Sequence, residues 1–477
     1  MTCWSEYAME GLQMSSFTPF REKMEQAGVS EAAILSFERN YAILCEGNST
    51  DISEESIDPV IKLPELDEFS NDGEEFDPAL LAQTVVIKLN GGLGTSMGLQ
   101  KAKSLLEVKD GSTFLDVIVD QVSYLRDSTG AQVKFLLMNS FSTSEDTLEH
   151  LAQYADRGLA AKEEVELHQN QIPKIDADSM GPVEFSENPS LEWCPPGHGD
   201  LYPAIAGSGW LDKLLADGVK YAFVSNSDNL GAVLHPGILR YFAESTKPFL
   251  MEATRRTEVD KKGGHLAIRK ADQQLLLREV AQTADSDLIE FQNIEKHQYF
   301  NTNSLWVNLE ALKSELDAQG GVLPLPVIIN KKTVDPRNKK SKSVYQLETA
   351  MGAAIECFKR ADAICVPRSR FAPVKTTADL FTLRSDAYET TEDGRIVLVK
   401  ERDGKPPVVS LSDEYKLVDS LEGLGIPSLK GATKLSLSGP VRFADMVEIR
   451  GTVSISNEKP GTSWIANGLY RDEDVVL

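Results

Sequence analysis

Cysteine is scarce in this chain and carries no pattern. Its five cysteines (Cys3, Cys45, Cys194, Cys357 and Cys365) are scattered, odd in number and form no CxxC. That excludes a disulfide or zinc framework and predicts reduced thiols, as in a cytoplasmic protein. Long hydrophobic runs are absent too. No apolar stretch approaches the ~18 residues of a membrane-spanning helix. The N-terminus, Met1-Thr-Cys-Trp-Ser-Glu-Tyr7, has neither a basic n-region nor an apolar h-region, so no secretory signal is legible. Positive charge is in deficit: 49 Lys and Arg stand against 73 Asp and Glu, for a net charge of −24. This argues against nucleic acid as a partner. An anionic ligand must then be held by local lysines, backbone amides and metal, against the overall field. What remains is ordinary for a globular protein: 477 residues, 41% hydrophobic and 26% charged, enough for two or three domains.

The most informative stretch is Val85-Val-Ile-Lys-Leu-Asn-Gly-Gly-Leu-Gly-Thr-Ser-Met-Gly98. Three β-branched residues, Val85 to Ile87, read as a short buried strand. The strand runs into Gly91, Gly92, Gly94 and Gly98, and glycine lets backbone N–H groups approach a ligand closely. A strand feeding such a loop suits a phosphate cradle. Lys103 follows, placed to meet a phosphate as a point charge. A Walker A motif is excluded, because Gly98 is followed by Leu99 and Gln100. A dinucleotide fingerprint is excluded because Gly92, Gly94 and Gly98 are spaced one residue too far. Taken alone, the loop is also compatible with a plain tight turn.

Along the chain, apolar positions from Ala32 to Leu44 predict helix over residues 17–46. The acidic segment Asp51–Asp58 reads as a solvated connector. Short apolar runs then alternate with helical patterns. They predict strands at 84–89, 133–138, 220–225, 248–253, 305–309 and 363–367, and helices at 113–125, 144–155, 207–216 and 345–360. That alternation implies an α/β domain with a mostly parallel sheet. Near the C-terminus, Leu435, Val441, Val447 and Val453 recur every six residues, and Leu437, Phe443, Ile449 and Ile455 repeat the spacing. Period six marks a hexapeptide β-helix, although an ordinary pair of β-hairpins fits the spacing equally. The expected divisions are 1–80, 81–385 and 386–477.

Several constellations carry chemistry. Pro195-Pro-Gly-His-Gly-Asp-Leu-Tyr202 is a rigid turn that presents His198. Tyr221-Ala-Phe-Val-Ser-Asn-Ser-Asp-Asn229 is a strand ending in polar residues, where α/β sheets bind ligands. Asp228 there suits Mg²⁺ or, alternatively, a helix N-cap. Lys262-Gly-Gly264 and Phe300-Asn-Thr-Asn303 read as loops whose amides suit hydroxyl-rich ligands or simply make turns. Arg368, Arg370 and Lys375 form a basic cluster stiffened by prolines. Solvation explains that cluster as readily as phosphate binding does; the loop Lys331–Lys342 is basic as well, and solvation explains it better than a phosphate-guiding role.

Taken together, these segments resemble the eukaryotic-type UTP–glucose-1-phosphate uridylyltransferases, also called UDP-glucose pyrophosphorylases. Leu89–Gly98, Pro195–Pro203, Asn226–Ala232, Lys262–Gly264, Phe300–Trp306, Gln346–Ala350 and Pro367–Thr377 occur in family order. The resemblance implies a Rossmann-like nucleotidyltransferase core with a mixed, mostly parallel sheet and a C-terminal left-handed β-helix. It also implies that UTP and glucose 1-phosphate give UDP-glucose and pyrophosphate, with Mg²⁺. By family analogy Leu89, Gly91, Gly92, Met138, Gln169, Gly197 and Asn226 bind the nucleotide. Lys103 and Lys375 are the catalytic lysines and Asp228 the metal ligand. His198, Gly264, Glu279, Asn301 and Asn303 match positions lining the sugar-phosphate pocket. A homo-oligomer through the C-terminal domain is a family trait.

The chain departs from the family after the glycine loop, reading Gly98-Leu-Gln-Lys-Ala-Lys103. Gln100 replaces a usual lysine and Ala102 a usual proline, and Lys101 is the candidate substitute. Two rival readings share the fold. UDP-N-acetylhexosamine or broad UDP-sugar pyrophosphorylases typically carry a Gly-x-Gly-Thr-Arg type loop, which Ser96 and Met97 do not match. A silent nucleotide-sugar sensor has no need for Lys103, Asp228 and Lys375 together.

Overall fold

The computed structural model describes residues 10–47, 50–71 and 73–477. Cys3 lies outside them, and the other four cysteines are free thiols. The centre is strand Thr84–Asn90, which pairs in parallel with Lys134–Asn139 on one side and Tyr221–Asn226 on the other. Its apolar run is buried on both faces, as a central parallel strand requires. Val86 joins Leu137, Phe223 and Trp306 beneath helix Phe114–Thr129. Val85 and Ile87 join Leu136, Val224 and Leu305 against helices Trp210–Ala216 and Leu309–Ala318. The two faces thus have separate cores.

Glu166–His168 extends the parallel block. Beyond Tyr221–Asn226 the sheet turns antiparallel through Tyr299–Asn308, which also pairs with Phe249–Arg255 and, at Phe300, with His265–Arg269. The fold is α/β, as expected. The sheet is only partly parallel, however: its second half is mainly antiparallel, with Asp362–Cys365 pairing in parallel with Phe249–Arg255 at its end. Among the described residues no helix is long and apolar enough to cross a membrane.

Three expectations need correction. The helix expected at 17–46 is two, Glu10–Gln26 and Glu31–Glu46. Gly28 at φ 72° breaks the run, and Ser30 caps the second helix. Phe17, Phe20, Phe37 and Tyr41 of this pair pack on Ile172, Cys194, Val327 and Leu347. The segment 345–360 is not helical. Ser343–Thr349 is a strand antiparallel to Val327–Thr333, followed by a 3-10 turn at Met351–Glu356. Tertiary pairing overrides the local pattern there. The acidic connector is not merely solvated either. Ile57–Pro59 adds a strand to the sheet edge. Glu54 accepts hydrogen bonds from Arg278, Lys296 and His297. Burial works against its charge, yet the bonds from Lys296 and His297 hold its carboxyl down at about 2.

The period-six residues are all buried. They lie on parallel strands Ser428–Ser438 and Val447–Ser456, and Val441–Phe443 pairs in parallel with Ser463–Ile465. Leu435 faces Val453 and Leu437 faces Ile455, three repeats of six along the chain. The hairpin alternative is thereby excluded, since hairpins are antiparallel.

Candidate active site

The parallel strands all deliver their carboxyl ends to one edge, and the site gathers there. Leu89 and Met138 are register neighbours, as are Leu89 and Asn226. Met138 is buried in the apolar core. Gln169 ties two segments together at this edge. Its backbone N–H donates to the Asn139 carbonyl at 2.7 Å, and its Nε2 donates to the Gly197 carbonyl at 3.0 Å. A Cβ at Gly91 would lie 2.6 Å from Gln169 Oε1. Gly197 has φ 80°, and a Cβ there would lie 2.5 Å from the Thr349 carbonyl oxygen. These glycines let two protein segments approach closely, where the sequence predicts close approach to a ligand. At Gly92 a Cβ would meet nothing within 4 Å, so protein packing does not explain that glycine.

At the phosphate end, Lys103 folds back so that its N–H donates to the Gly92 carbonyl at 3.1 Å. Its ammonium donates to Asp228 Oδ2 at 2.6 Å, with both side chains mostly buried. Asp228 caps no helix; the next one begins at Pro236. The Val374 N–H donates to the Asp228 carbonyl at 3.1 Å, which brings Lys375 alongside. Lys375 is exposed, with its ammonium 5.7 Å from the centre of the Phe371 ring. The basic cluster therefore splits: Arg368 pairs with Asp260, Arg370 with Glu252, and Lys375 alone faces the site.

The residues matched to the family's sugar-phosphate pocket lie mainly on the antiparallel half. Asn301 and Asn303 sit within strand Tyr299–Asn308 rather than in a loop. They lie at a bulge where register shifts opposite Glu252 and Ala253, and Asn303 adopts φ 58°. Asn301 Nδ2 donates to Asn303 Oδ1 at 2.9 Å, and Asn303 N–H donates to Asn301 Oδ1 at 2.9 Å. The Asn301 N–H donates to the Gly264 carbonyl at 3.2 Å. A Cβ at Gly264 would lie 2.5 Å from Glu279 Oε1. Burial pushes the Glu279 carboxyl up to about 7, against the opposing charge of Lys375. His198 accepts from the Met351 N–H through Nδ1 at 2.9 Å, so its proton sits on Nε2. Burial lowers its value to about 4, which keeps the ring neutral.

Two functional neighbours escape the sequence. Asp200, inside the Pro195–Tyr202 turn, accepts from the Asn170 N–H at 2.7 Å and fixes the residue after Gln169. Burial raises its carboxyl to about 7, against the bonds from Asn170. Glu252, fully buried beneath the site, gives no local signal at all.

Residues 35–450 match the protein family described as UTP–glucose-1-phosphate uridylyltransferase. The chain belongs to that family. Curated members include the potato (Solanum tuberosum) uridylyltransferase, 41% identical over 85% of this chain and 82% of its own. The Saccharomyces cerevisiae uridylyltransferase is 41% identical over 83% and 78%. Among solved structures, a point mutant of Leishmania major UDP-glucose pyrophosphorylase, in complex with UDP-Glc, is 46% identical with a TM-score of 0.91. It covers 97% of this chain and 99% of its own. The Trypanosoma brucei structure, described as a UDP-glucose phosphorylase, is 49% identical with a TM-score of 0.87, covering 97% and 100%. Against the family pattern, Lys101 does not turn into the site: its ammonium lies 3.6 Å from Asp146.

Among the described residues no three His, Cys, Asp or Glu side chains gather as a metal cage. A single carboxylate paired with a lysine, beside a phosphate cradle, fits Mg²⁺. That ion is held by one or two carboxylates plus water and substrate phosphates.

Proposed function

We propose that this chain joins UTP and glucose 1-phosphate into UDP-glucose, releasing pyrophosphate. An oxygen of the sugar phosphate attacks the α-phosphorus of UTP in line. The new P–O bond forms as the bond to the bridging oxygen of the β-phosphate breaks, and pyrophosphate takes the electron pair. The protein's work is positioning and charge neutralisation.

Leu89, Gly91, Gly92 and Asn226 line the nucleotide, while Met138, Gln169 and Gly197 shape the uracil side. Lys103 leaves Asp228 for the phosphates, and Lys375 meets the reacting phosphate from the other side. Asp228 would hold Mg²⁺, which supplies further charge neutralisation at the phosphates. His198 offers Nε2–H to the sugar phosphate. Gly264, Glu279, Asn301 and Asn303 line the sugar. The observation that carries this assignment is the meeting of Lys103, Asp228 and the Val374–Lys375 segment at the carboxyl end of the parallel strands.

The divisions 1–80, 81–385 and 386–477 stand as part of the proposal, as does a left-handed β-helix at the C-terminus. The parallel pairing of residues three hexads apart supports the β-helix. Exposed Met446, Trp464 and Val476 on its surface support contact between copies. The free thiols fit a reducing compartment such as the cytoplasm.

The test is pyrophosphate release with UTP and Mg²⁺, run in parallel with glucose, galactose and N-acetylglucosamine 1-phosphates, and repeated with ATP, GTP and TTP. Fast release with UTP and glucose 1-phosphate alone is expected. Comparable rates with several sugars would replace it by a broad UDP-sugar pyrophosphorylase, and no release with UDP-glucose still binding by a sensor.

A further inference from the structure

The loop carrying Asp228 and the segment carrying Lys375 come from opposite halves of the sheet, yet buried polar groups fasten them together. Arg370 is the hub. Its Nε donates to Glu252 Oε2 at 2.8 Å and its Nη2 to Glu252 Oε1 at 2.8 Å. Trp306 Nε1 donates to the same Oε1 at 2.9 Å, so the buried carboxylate is well supplied with donors. Arg370 Nη2 also reaches the Val233 carbonyl at 2.9 Å, on the far end of the Asp228 loop.

Asn229 makes the second link. It is 2% exposed, and both ends of its amide are used. Nδ2 donates to the Arg370 carbonyl at 3.1 Å, and Oδ1 accepts from the Ala372 N–H at 3.1 Å. At Gly231 a Cβ would lie 2.4 Å from the Ser369 carbonyl oxygen, so the two backbones touch. Beneath them Lys88 Nζ donates to Ser225 Oγ at 2.8 Å and to the Ala232 carbonyl at 2.6 Å.

A buried ion pair is a poor source of stability, because desolvation offsets most of its attraction. Its planar, bidentate geometry does fix direction. We propose that Arg370 and Asn229 are positioning residues, holding Asp228 and Lys375 at one separation across the reacting phosphate. The proposal rests on the roles given above to Asp228 and Lys375. Arg370 spends Nε and Nη2, and Asn229 both ends of its amide, on protein partners. Their effect must therefore run through the geometry of the transition state rather than through binding.

The experiment compares Arg370→Lys, Asn229→Ala, their double variant and Asp228→Asn in the full chain. It measures kcat, KM for both substrates, the Mg²⁺ concentration for half activation, and Tm. A misplacement of about 1 Å can cost ~100-fold in rate, so Arg370→Lys should lower kcat about 100-fold and Asn229→Ala about 10-fold. Both KM values should stay within about 3-fold, and half activation should need more Mg²⁺. Because the two residues act on one block, the double variant should be no slower than Arg370→Lys alone. A raised KM at unchanged kcat overturns the proposal. So does a kcat loss that matches only a loss of folded protein, or losses that multiply in the double variant. If Arg370→Lys does not fold, Asn229→Ala decides by the same kcat and KM criteria. Full turnover by Asp228→Asn would instead sink the site assignment on which the proposal stands.

Discussion

At the proposed phosphate end of the site the groups are charged, and they are delivered by loops that follow parallel strands. Lys103, Asp228 and Lys375 are distant in sequence and meet through the Lys103–Asp228 ion pair and the Val374–Asp228 backbone bond. At the sugar end they are mostly neutral and sit on or beside antiparallel strands, where Asn301 and Asn303 bond each other and Gly264 abuts Glu279. One end depends on a few long-range links between charged groups; at the other, Asn301, Asn303, Gly264 and Glu279 find partners closer in sequence. Damage to the first should therefore appear in turnover, and damage to the second in sugar affinity.

The largest effect tests the first half of that contrast. Removing a group that stabilises transition-state charge typically costs 10²–10³ in rate, so Lys103→Ala and Lys375→Ala should each lose about 100- to 1,000-fold in kcat. Pyrophosphate release at saturating substrates measures it, with Tm as the check on folding. Near-normal turnover in either variant would remove that lysine from the mechanism.

Next comes Gly264→Ala, whose new methyl would crowd the Glu279 carboxylate. An overpacked contact of this kind should raise KM for glucose 1-phosphate roughly 10- to 30-fold while KM for UTP holds. Equal changes in both constants would break the division between the two ends.

A smaller effect is pH dependence at Glu279, raised by burial to about 7. Above that value the carboxylate is ionised and both oxygens accept from sugar hydroxyls, so KM for the sugar should fall a few-fold, about 2- to 5-fold, between pH 6 and 8. Glu279→Gln should flatten the profile. Stability runs the other way. Below about 4.5 the group is neutral whether folded or unfolded, and its contribution is fully present. That contribution is lost as pH rises through about 7, because the folded state must then bury a charge. Tm against pH for the wild type and Glu279→Gln measures this slope. Smallest of all, Lys101→Ala should change kcat less than about 2-fold, since its ammonium faces Asp146 on the surface.

Much of the phosphate end was legible in the sequence because it follows local rules. Val85–Ile87 read as a strand, and the glycines after it as a close-approach loop or a tight turn at its end. The polar run after Val224 had to lie at a strand end. Much of the rest depends on pairing across the chain. Tyr345 and Leu347 looked helical until a partner strand at Val327–Thr333 claimed them. Asn301 and Asn303 looked like loop residues because a bulge leaves no local periodicity. Glu252 reads as one carboxylate within an apolar strand, and only the fold reveals Arg370 opposite it. Glu54 was hidden in an acidic run whose other members are largely exposed. The six-residue repeat predicted the inward-facing residues of the C-terminal strands, which local spacing alone could not distinguish from hairpins.

The Lys103–Asp228 ion pair also sets an order of events. While the ammonium holds the carboxylate, neither is at full strength for an outside partner. With the roles proposed for them, a triphosphate that draws Lys103 away would free Asp228 for a cation, so the two ligands would favour each other's binding. Thermodynamic linkage makes that favour reciprocal and equal in both directions. On that proposal the resting enzyme would need no ready-made metal cage: one contact, broken by the nucleotide, would turn a self-neutralised pair into two binding sites.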